Sequence, residues 1–148
     1  MNKVLLLVED NARDEKLTLR AFKNCNLGNE IVVARDGAEA LDYLFGTGKY
    51  EGRDPQLPTV VLLDLKLPRI DGLEVLRRLR ADPRTKVLPV VILTASKEDE
   101  DRARSYELGA NAYVRKPVAF GEFAEAVKTL GLFWCVMNEG PPAPRSLP

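Results

Sequence analysis

Acidic residues stand at the ends of two apolar runs in this 148-residue sequence. Glu9 and Asp10 follow the run 4–8, and Asp64 follows the run 59–63. Carboxylates that are brought together repel one another, and some take up protons unless a cation lies between them. Mg²⁺ prefers oxygen ligands, binds a few carboxylates and keeps water molecules that a phosphate can displace. If the two runs form neighbouring strands, the three acids predict a magnesium site that attracts phosphate.

Two further polar residues stand at the ends of later apolar runs. Thr94 ends the run 89–94, and Lys116 follows the run 112–115. A lysine ammonium can pair with a phosphate, and a threonine hydroxyl can donate a hydrogen bond to it. A carboxylate oxygen of Asp64 can then attack phosphorus in line, because phosphoryl transfer needs chiefly positioning and charge neutralisation. The pattern predicts an aspartate that becomes phosphorylated.

The elements that must position these residues alternate between strands and helices. Short apolar runs predict strands at residues 4–8, 30–34, 59–64, 89–94 and 112–115. Amphipathic segments predict helices at residues 12–24, 36–46, 71–82, 97–109 and 119–138, the last with a break near Gly131. This alternation predicts an α/β fold, (βα)5, with a doubly wound parallel sheet covered by helices on both faces. Functional residues of such sheets collect beyond the carboxyl ends of the strands, so the polar residues are expected at one rim.

The amino-acid composition excludes several kinds of catalytic and binding site. Histidine is absent, which excludes histidine general bases, Ser-His and Cys-His nucleophile pairs and His-ligated zinc on this chain. The 22 basic residues balance 22 acidic ones, and this lack of basic excess argues against direct nucleic-acid binding. Cys25 and Cys135 have no metal-ligand spacing and are predicted to be reduced thiols. No apolar stretch approaches the roughly 20 residues of a membrane span, so we expect a cytoplasmic protein without membrane contact.

Four segments together resemble the receiver domain of two-component response regulators. They are LLLVEDN (5–11), VVLLDLKLPRIDG (60–72), VVILTAS (90–96) and ANAYVRKP (110–117). The resemblance extends over about residues 3–138, and it implies the flavodoxin-like, CheY-like strand order 2-1-3-4-5. The receiver domain is accordingly expected to span residues 1–138, and the proline-rich tail 139–148 is expected to be flexible or extended.

The resemblance also implies roles for the acidic residues. Asp64 is expected to be the phosphoacceptor, and Asp10 and Asp64 are expected to bind Mg²⁺ directly. Glu9 is expected to bind the metal mainly through water, and Lys66 through its backbone carbonyl. The implied donor is a phosphohistidine on a partner sensor histidine kinase. The protein is accordingly expected to be a signalling switch and not an enzyme, with slow self-dephosphorylation at most.

Three other residues take roles by the same resemblance. Thr94 and Lys116 are expected to hold the phosphoryl group, and Tyr113 is expected to turn inward when Thr94 shifts. The peptide bond between Lys116 and Pro117 is expected to be cis, a state that is accessible before proline. Through Thr94 and Tyr113, phosphorylation is expected to change the surface of the fourth helix, the fifth strand and the fifth helix.

Other segments narrow the resemblance to the stand-alone regulators that partner bacterial phytochrome kinases. These segments are the long Gly- and Pro-rich loop 46–58, LDLKLPR (63–69), RSYELGANAYVRKP (104–117) and Phe133–Trp134. The implied partner is therefore a bacteriophytochrome kinase. The apolar stretch 132–137 predicts a homodimer through the last helices and the tail, because a terminal helix has a free side and exposed aromatic residues mark interfaces. The same stretch also fits an ordinary core stripe.

Simpler interpretations stay open. Asp10 or Asn11 could cap the first helix. The cation at Lys66, two residues after Asp64, could contact the phosphoryl group or compete with the metal. A phosphatase of the haloacid dehalogenase type also uses an aspartyl nucleophile and Mg²⁺, but it needs a second aspartate where this chain has Lys66. A non-phosphorylated interaction module on the same fold is the third possibility.

Overall fold

Apolar runs of four and five residues form a parallel sheet. The computed structural model describes residues 4–25, 30–53, 57–116 and 119–142. The strands are β1 (Val4–Val8), β2 (Glu30–Ala34), β3 (Val60–Leu63), β4 (Val90–Thr94) and β5 (Ala112–Arg115). They pair in the order β2-β1-β3-β4-β5, which confirms the predicted fold class and strand order.

A helix follows each strand. The helices are α1 (Ala12–Cys25), α2 (Gly37–Phe45), α3 (Gly72–Ala81), α4 (Asp99–Glu107) and α5 (Phe120–Leu132). A 3-10 turn, Gly48–Tyr50, lies in the long loop after α2, and α5 continues as a π-helical turn, Phe133–Met137. The predicted break near Gly131 is a change of helix type after Leu132 and not an interruption. Within the described ranges, no helix combines the length and apolar character that crossing a bilayer requires.

Side-chain caps begin the first three helices at the rim where β1, β2 and β3 end. Asn11, Asp36 and Asp71 each accept a hydrogen bond from the backbone N–H three residues on, at 3.0, 2.7 and 2.9 Å. Such caps satisfy backbone donors that a helix start leaves without partners. Gly46 ends α2 with a left-handed φ of 69°, a conformation that glycine adopts without strain. These caps set where each helix leaves the rim.

The strand side chains alternate between two apolar clusters, one on each face of the sheet. On β1, Leu6 and Val8 pack toward α2 and α3, whereas Leu5 and Leu7 pack toward α1 and α5. All four side chains are at most 1% exposed. Full burial of one such side chain contributes about 1.5–3 kcal/mol to folding. β1 is therefore held from both sides, and it places the following Glu9 with little freedom.

The loop between β3 and α3 packs so closely against the start of α3 that only glycine fits at position 72. A Cβ atom on Gly72 would lie 2.2 Å from the backbone oxygen of Asp64. The Gly72 N–H donates to the Leu65 carbonyl at 2.9 Å, which closes the loop on itself. Arg69 in the same loop has a φ of 68°, a left-handed conformation that costs energy in a non-glycine residue. Local backbone geometry therefore holds the chain in one path as it leaves Asp64.

Candidate acidic site at the rim of the sheet

Two neighbouring strands bring the acidic residues together. β1 and β3 pair in parallel, with Val8 opposite Leu63. Glu9 and Asp64 therefore leave adjacent strands side by side, and the Asp64 N–H donates to the Val8 carbonyl at 3.1 Å. Carboxylate oxygens of Glu9, Asp10 and Asp64 lie within 4.8 Å of one another. The three acids meet at one rim, as the strand pattern predicts.

Lys116 lies among these acids and contacts three carboxylates at once. Its Nζ is 2.6 Å from Glu9 Oε1, 2.7 Å from Asp64 Oδ2 and 2.9 Å from Asp14 Oδ2. The backbone N–H of Lys116 donates to the Thr94 carbonyl at 2.7 Å, which positions the residue as the chain leaves β5. A cation therefore lies between the carboxylates, as their mutual repulsion requires. A buried ammonium already neutralises part of their charge.

Burial and charge shift the proton affinities of this cluster. Burial raises the pKa of Glu9 from its ordinary value of 4.5 to about 7, although the hydrogen bond and charge of Lys116 oppose the shift. Burial alone would lower the pKa of Lys116, but the charge of Asp64 and the hydrogen bonds to Asp64 and Glu9 outweigh it. The pKa of Lys116 is raised as a result. The lysine stays an ammonium, while Glu9 exchanges its proton near neutral pH.

Asp10 differs from the two buried acids because its side chain is exposed. Its carboxylate accepts no hydrogen bond from the part of the chain that the structure describes. Asn11 caps α1 instead, with the Asp14 N–H as donor, so the capping alternative for Asp10 is not observed. Asp10 also borders a cleft of about 380 Å³. It is thus the acid of the cluster that an incoming ion reaches most directly.

The donor set fits a hard divalent cation. Three carboxylates converge, and the exposed one faces a cleft with room for metal-bound water. The two oxygens of Asp64 have different neighbours. Oδ2 accepts from Lys116, and Oδ1 accepts a long hydrogen bond of 3.4 Å from the Lys66 N–H. The proposed metal contact of the Lys66 carbonyl stays a prediction.

Thr94 and Tyr113 meet at Ser96, a residue that the sequence patterns did not single out. Thr94 is fully buried, and its Oγ1 accepts a hydrogen bond from the Ser96 N–H at 3.3 Å. The Tyr113 hydroxyl donates to the Ser96 carbonyl at 3.4 Å, and its ring packs against the apolar cluster on the α2–α3 face. The two predicted switch residues are therefore joined through the loop between β4 and α4. Pro117 lies outside the described residues, so its predicted cis bond stays a prediction.

Two acids in helix first turns also escaped prediction. Asp14, in α1, contacts Lys116, and Asp101, in α4, lies 3.7 Å from the Lys66 Nζ. Acids are common in the first turn of any helix because the helix dipole favours them. Their sequence signal is therefore no different from that of an ordinary solvated residue. The contact with Asp101 also gives the Lys66 ammonium a definite partner in this structure.

A family model and curated relatives match this chain along most of its length. The model of the response regulator receiver domain matches residues 5–128. The probable methanogenesis regulatory protein FilR2 of Methanothrix harundinacea is 40% identical over 93% of this chain and 87% of its own. The response regulator Rcp1 of Synechocystis is 39% identical over 89% of this chain and 88% of its own.

Solved structures give the same result. The phosphorylated cyanobacterial phytochrome response regulator RcpA superposes with a TM-score of 0.89 at 37% identity, over 96% of this chain and 100% of that one. The Mn²⁺-bound form of Rcp1 gives a TM-score of 0.88 at 36% identity, over 95% and 99%. The bacteriophytochrome response regulator AtBRR is 55% identical with a TM-score of 0.75, over 94% and 99%. Because the family match covers far more than half of the chain, and these relatives align along nearly all of it, the protein belongs to the response regulator receiver-domain family.

Proposed function

We propose that Asp64 accepts a phosphoryl group from a sensor histidine kinase in a Mg²⁺-dependent reaction. The observation that carries this proposal is the position of Asp64 at the centre of the rim. One of its oxygens is 2.7 Å from the Lys116 ammonium, and Glu9 and Asp10 lie beside it within 4.8 Å. A carboxylate with a cation on one side and a metal-binding acid set on the other is suited to attack on phosphorus.

The transfer itself needs little covalent chemistry from this chain. A carboxylate oxygen of Asp64 forms a bond to phosphorus as the bond between phosphorus and the donor imidazole nitrogen breaks, and that nitrogen keeps the electron pair. Lys116, charged throughout because its pKa is raised, can turn from a carboxylate to a phosphoryl oxygen. The product is an acyl phosphate on Asp64. No histidine of this chain is required, which agrees with the composition.

The metal ligands would be the three converging acids. Asp10 and Asp64 would hold Mg²⁺ directly, Glu9 would hold it mainly through water, and Lys66 would contribute its backbone carbonyl. When bound, Mg²⁺ neutralises negative charge on the phosphoryl group. Support comes from the oxygen-only donor set and from the similarity to Rcp1, whose structure contains Mn²⁺.

The output of this reaction would be a change of surface and not a released product. Thr94 would move toward the phosphoryl group, and Tyr113 would follow through their shared neighbour Ser96. The surface of α4, β5 and α5 would then favour a different partner. The chain would not be an enzyme beyond slow self-dephosphorylation. A phosphatase of the haloacid dehalogenase type is disfavoured because Lys66 stands where that mechanism needs an aspartate.

The partner would be a bacteriophytochrome kinase, in the cytoplasm, because phytochrome response regulators are among the structures this chain resembles. The receiver domain would span residues 1–138, followed by the tail 139–148. A homodimer would form through α5, the π-helical turn and this tail. Residues 143–148 lie outside the described part of the chain. Four apolar side chains at the end of α5 and in the π-helical turn support this dimer because they face solvent: Leu132, Phe133, Val136 and Met137. Trp134 and Cys135 instead pack against the core, so the stretch has both a core side and a free side.

The direct test is the Asp64→Asn variant with a labelled phosphodonor and Mg²⁺. The amide cannot form the acyl phosphate, so we expect labelling to be lost. Asp71→Asn is the matched control, because Asp71 caps α3 and asparagine caps helices equally well. Undiminished labelling of Asp64→Asn would remove Asp64 from the proposed role.

A further inference from the structure

α4 is held to the rest of the molecule by few contacts. Of its residues Asp99–Glu107, the buried one is Ser105, and Tyr106 is 52% exposed. A helix without an apolar face contributes little packing energy, so polar contacts at its ends gain importance. At its carboxyl end, the Gly109 carbonyl accepts from the Arg80 guanidinium at 2.9 Å. At its first turn, the contacts converge on Asp101.

One oxygen of Asp101 serves two loops of the acidic rim. Asp101 Oδ2 accepts a hydrogen bond of 2.6 Å from the Ser96 hydroxyl, in the loop after β4. The same oxygen lies 3.7 Å from the Lys66 ammonium, in the loop after β3. Lys66 is two residues from Asp64, and its own N–H donates to Asp64 Oδ1. Asp101 therefore attracts the Lys66 ammonium toward α4.

The Lys66 side chain can also extend toward the acidic site. Lys66, Asp101 and Asp10 line the same cleft of about 380 Å³, which opens beside the acidic site. The Lys66 side chain is 72% exposed, so little packing restrains it. An exposed ion pair of this length is weak and readily exchanges partners. A phosphoryl group on Asp64, with close to two negative charges, would attract the ammonium more strongly than one carboxylate does.

We propose that Asp101 is a positioning residue that holds the Lys66 ammonium away from Asp64 and thereby shortens the lifetime of the acyl phosphate. The proposal rests on phosphorylation of Asp64 as proposed above. With Asp101 in place, Lys66 is shared between α4 and the phosphoryl group. Without it, the ammonium is free to stay on the phosphoryl oxygens, where it stabilises their charge and obstructs the approach of water along the cleft.

The test is a double-mutant cycle on the half-life of phosphorylated protein, labelled with a small-molecule phosphodonor in saturating Mg²⁺. The four proteins are the wild type, Asp101→Asn, Lys66→Gln and the double variant. Asp101→Asn should lengthen the half-life about threefold, in keeping with the loss of an exposed ion pair. In the Lys66→Gln background the same change should have no effect, because Asp101 acts through the lysine.

Two controls separate this effect from others. Asp99→Asn removes an equal charge from the same helix turn, where Asp99 pairs with Arg102, and it should leave the half-life unchanged. Ser96→Ala removes the other contact of Asp101 Oδ2 and keeps the lysine pair, so the Asp101→Asn effect should persist in that background. Asparagine can still accept a hydrogen bond from Ser96, which keeps the fold of this turn.

The outcomes distinguish the two proposals. An unchanged or shortened half-life in Asp101→Asn overturns the positioning role. An equal effect of Asp101→Asn with and without Lys66 overturns it as well, because Asp101 would then act through the structure of α4. If Asp64→Asn takes up label as well as the wild type does, the proposed phosphoacceptor fails, which is a separate result that the labelling experiment detects first.

Discussion

Lys116 lies among the carboxylates of the acidic rim before any phosphoryl group arrives. A buried ammonium is costly without partners, and a buried carboxylate is equally costly. Here each offsets the cost of the other, since Lys116 contacts Glu9, Asp14 and Asp64. The exposed Asp10 lacks such a contact among the described residues. The site thus combines a preformed ion-pair network with one carboxylate left for an incoming cation.

Glu9 should make the stability of the metal-free protein depend on pH. Its pKa is about 7 when folded and 4.5 ordinarily, so between these values the folded state binds the proton more tightly. The free energy of unfolding should therefore fall as the pH rises from about 5 to about 8. Because one pKa unit corresponds to about 1.4 kcal/mol, and Lys116 shares the charge, we expect a loss of about 1–2 kcal/mol.

Urea unfolding in EDTA measures this loss. Glu9→Gln should remove that part of the pH dependence, since glutamine does not titrate but still accepts a hydrogen bond from Lys116. Glu125→Gln, at an exposed position of α5, should retain the wild-type profile. Parallel pH profiles for wild type and Glu9→Gln would contradict the raised pKa of Glu9.

At the residue scale, the sequence predicted the parts of the site that end strands. Glu9, Asp64 and Lys116 each follow an apolar run, and the rule that parallel strands end at one rim brings them together. The contacts of Asp14 and Asp101 were not predictable, because they depend on how two helices begin. If a helix begins one residue earlier or later, the direction of a given side chain changes by about 100°. A polar first turn has no apolar pattern from which that direction could be predicted. The ion pair of Lys66 with Asp101 was likewise not predictable, because it depends on the tertiary structure.

At the element scale, the connection from β3 to α3 controls the setting of Asp64. Gly72→Ala would place a methyl group 2.2 Å from the Asp64 carbonyl oxygen, so the loop or the start of α3 must shift. Such overpacking costs typically 1–3 kcal/mol. We expect that loss of unfolding free energy in urea, together with slower phosphorylation.

Gly121→Ala is the matched control for this change. Gly121 lies in α5, and an added Cβ there would contact nothing within 4 Å. Because alanine favours helix over glycine, this variant should gain roughly 0.5–1 kcal/mol. A Gly72→Ala protein as stable and as reactive as the wild type would show that the loop tolerates displacement.

The elements themselves were predictable where burial leaves a strong pattern. Parallel strands that are covered on both faces consist mainly of Val, Ile and Leu, and this pattern located β1, β3 and β4. The bounds of β1, β2 and β5 matched their predictions, and those of β3 and β4 matched within one residue. The 3-10 turn Gly48–Tyr50 and the π-helical turn Phe133–Met137 were not predicted. A single turn has too few residues for a periodic signal, and its hydrogen bonding depends on neighbouring elements.

At the scale of the whole molecule, a group of exposed apolar side chains lies in the π-helical turn that follows α5. Val136 and Met137 are 58% and 71% exposed, and Phe133 lies beside them. If this surface forms the proposed dimer, Val136→Lys should shift the protein from dimer to monomer. Burying a lysine charge in such an interface without a partner is unfavourable.

Light scattering after size-exclusion chromatography measures the mass of each species. Val87→Lys is the matched control, because Val87 is 65% exposed in the connection between α3 and β4 and lies on neither α5 nor the π-helical turn. It should remain as dimeric as the wild type. A wild-type monomer at micromolar concentration, or a dimer that survives Val136→Lys, would rule out this surface as the interface.

The central claim is that the acidic rim uses Mg²⁺ and Lys116 to place a phosphoryl group on one particular carboxylate. Borohydride reduction tests it most directly, because it converts an aspartyl phosphate into homoserine, which peptide mass spectrometry locates in the sequence. After incubation with a phosphodonor, we expect homoserine at position 64, in the presence of Mg²⁺ and not in EDTA. Homoserine at another aspartate, or equal conversion without Mg²⁺, would contradict the account.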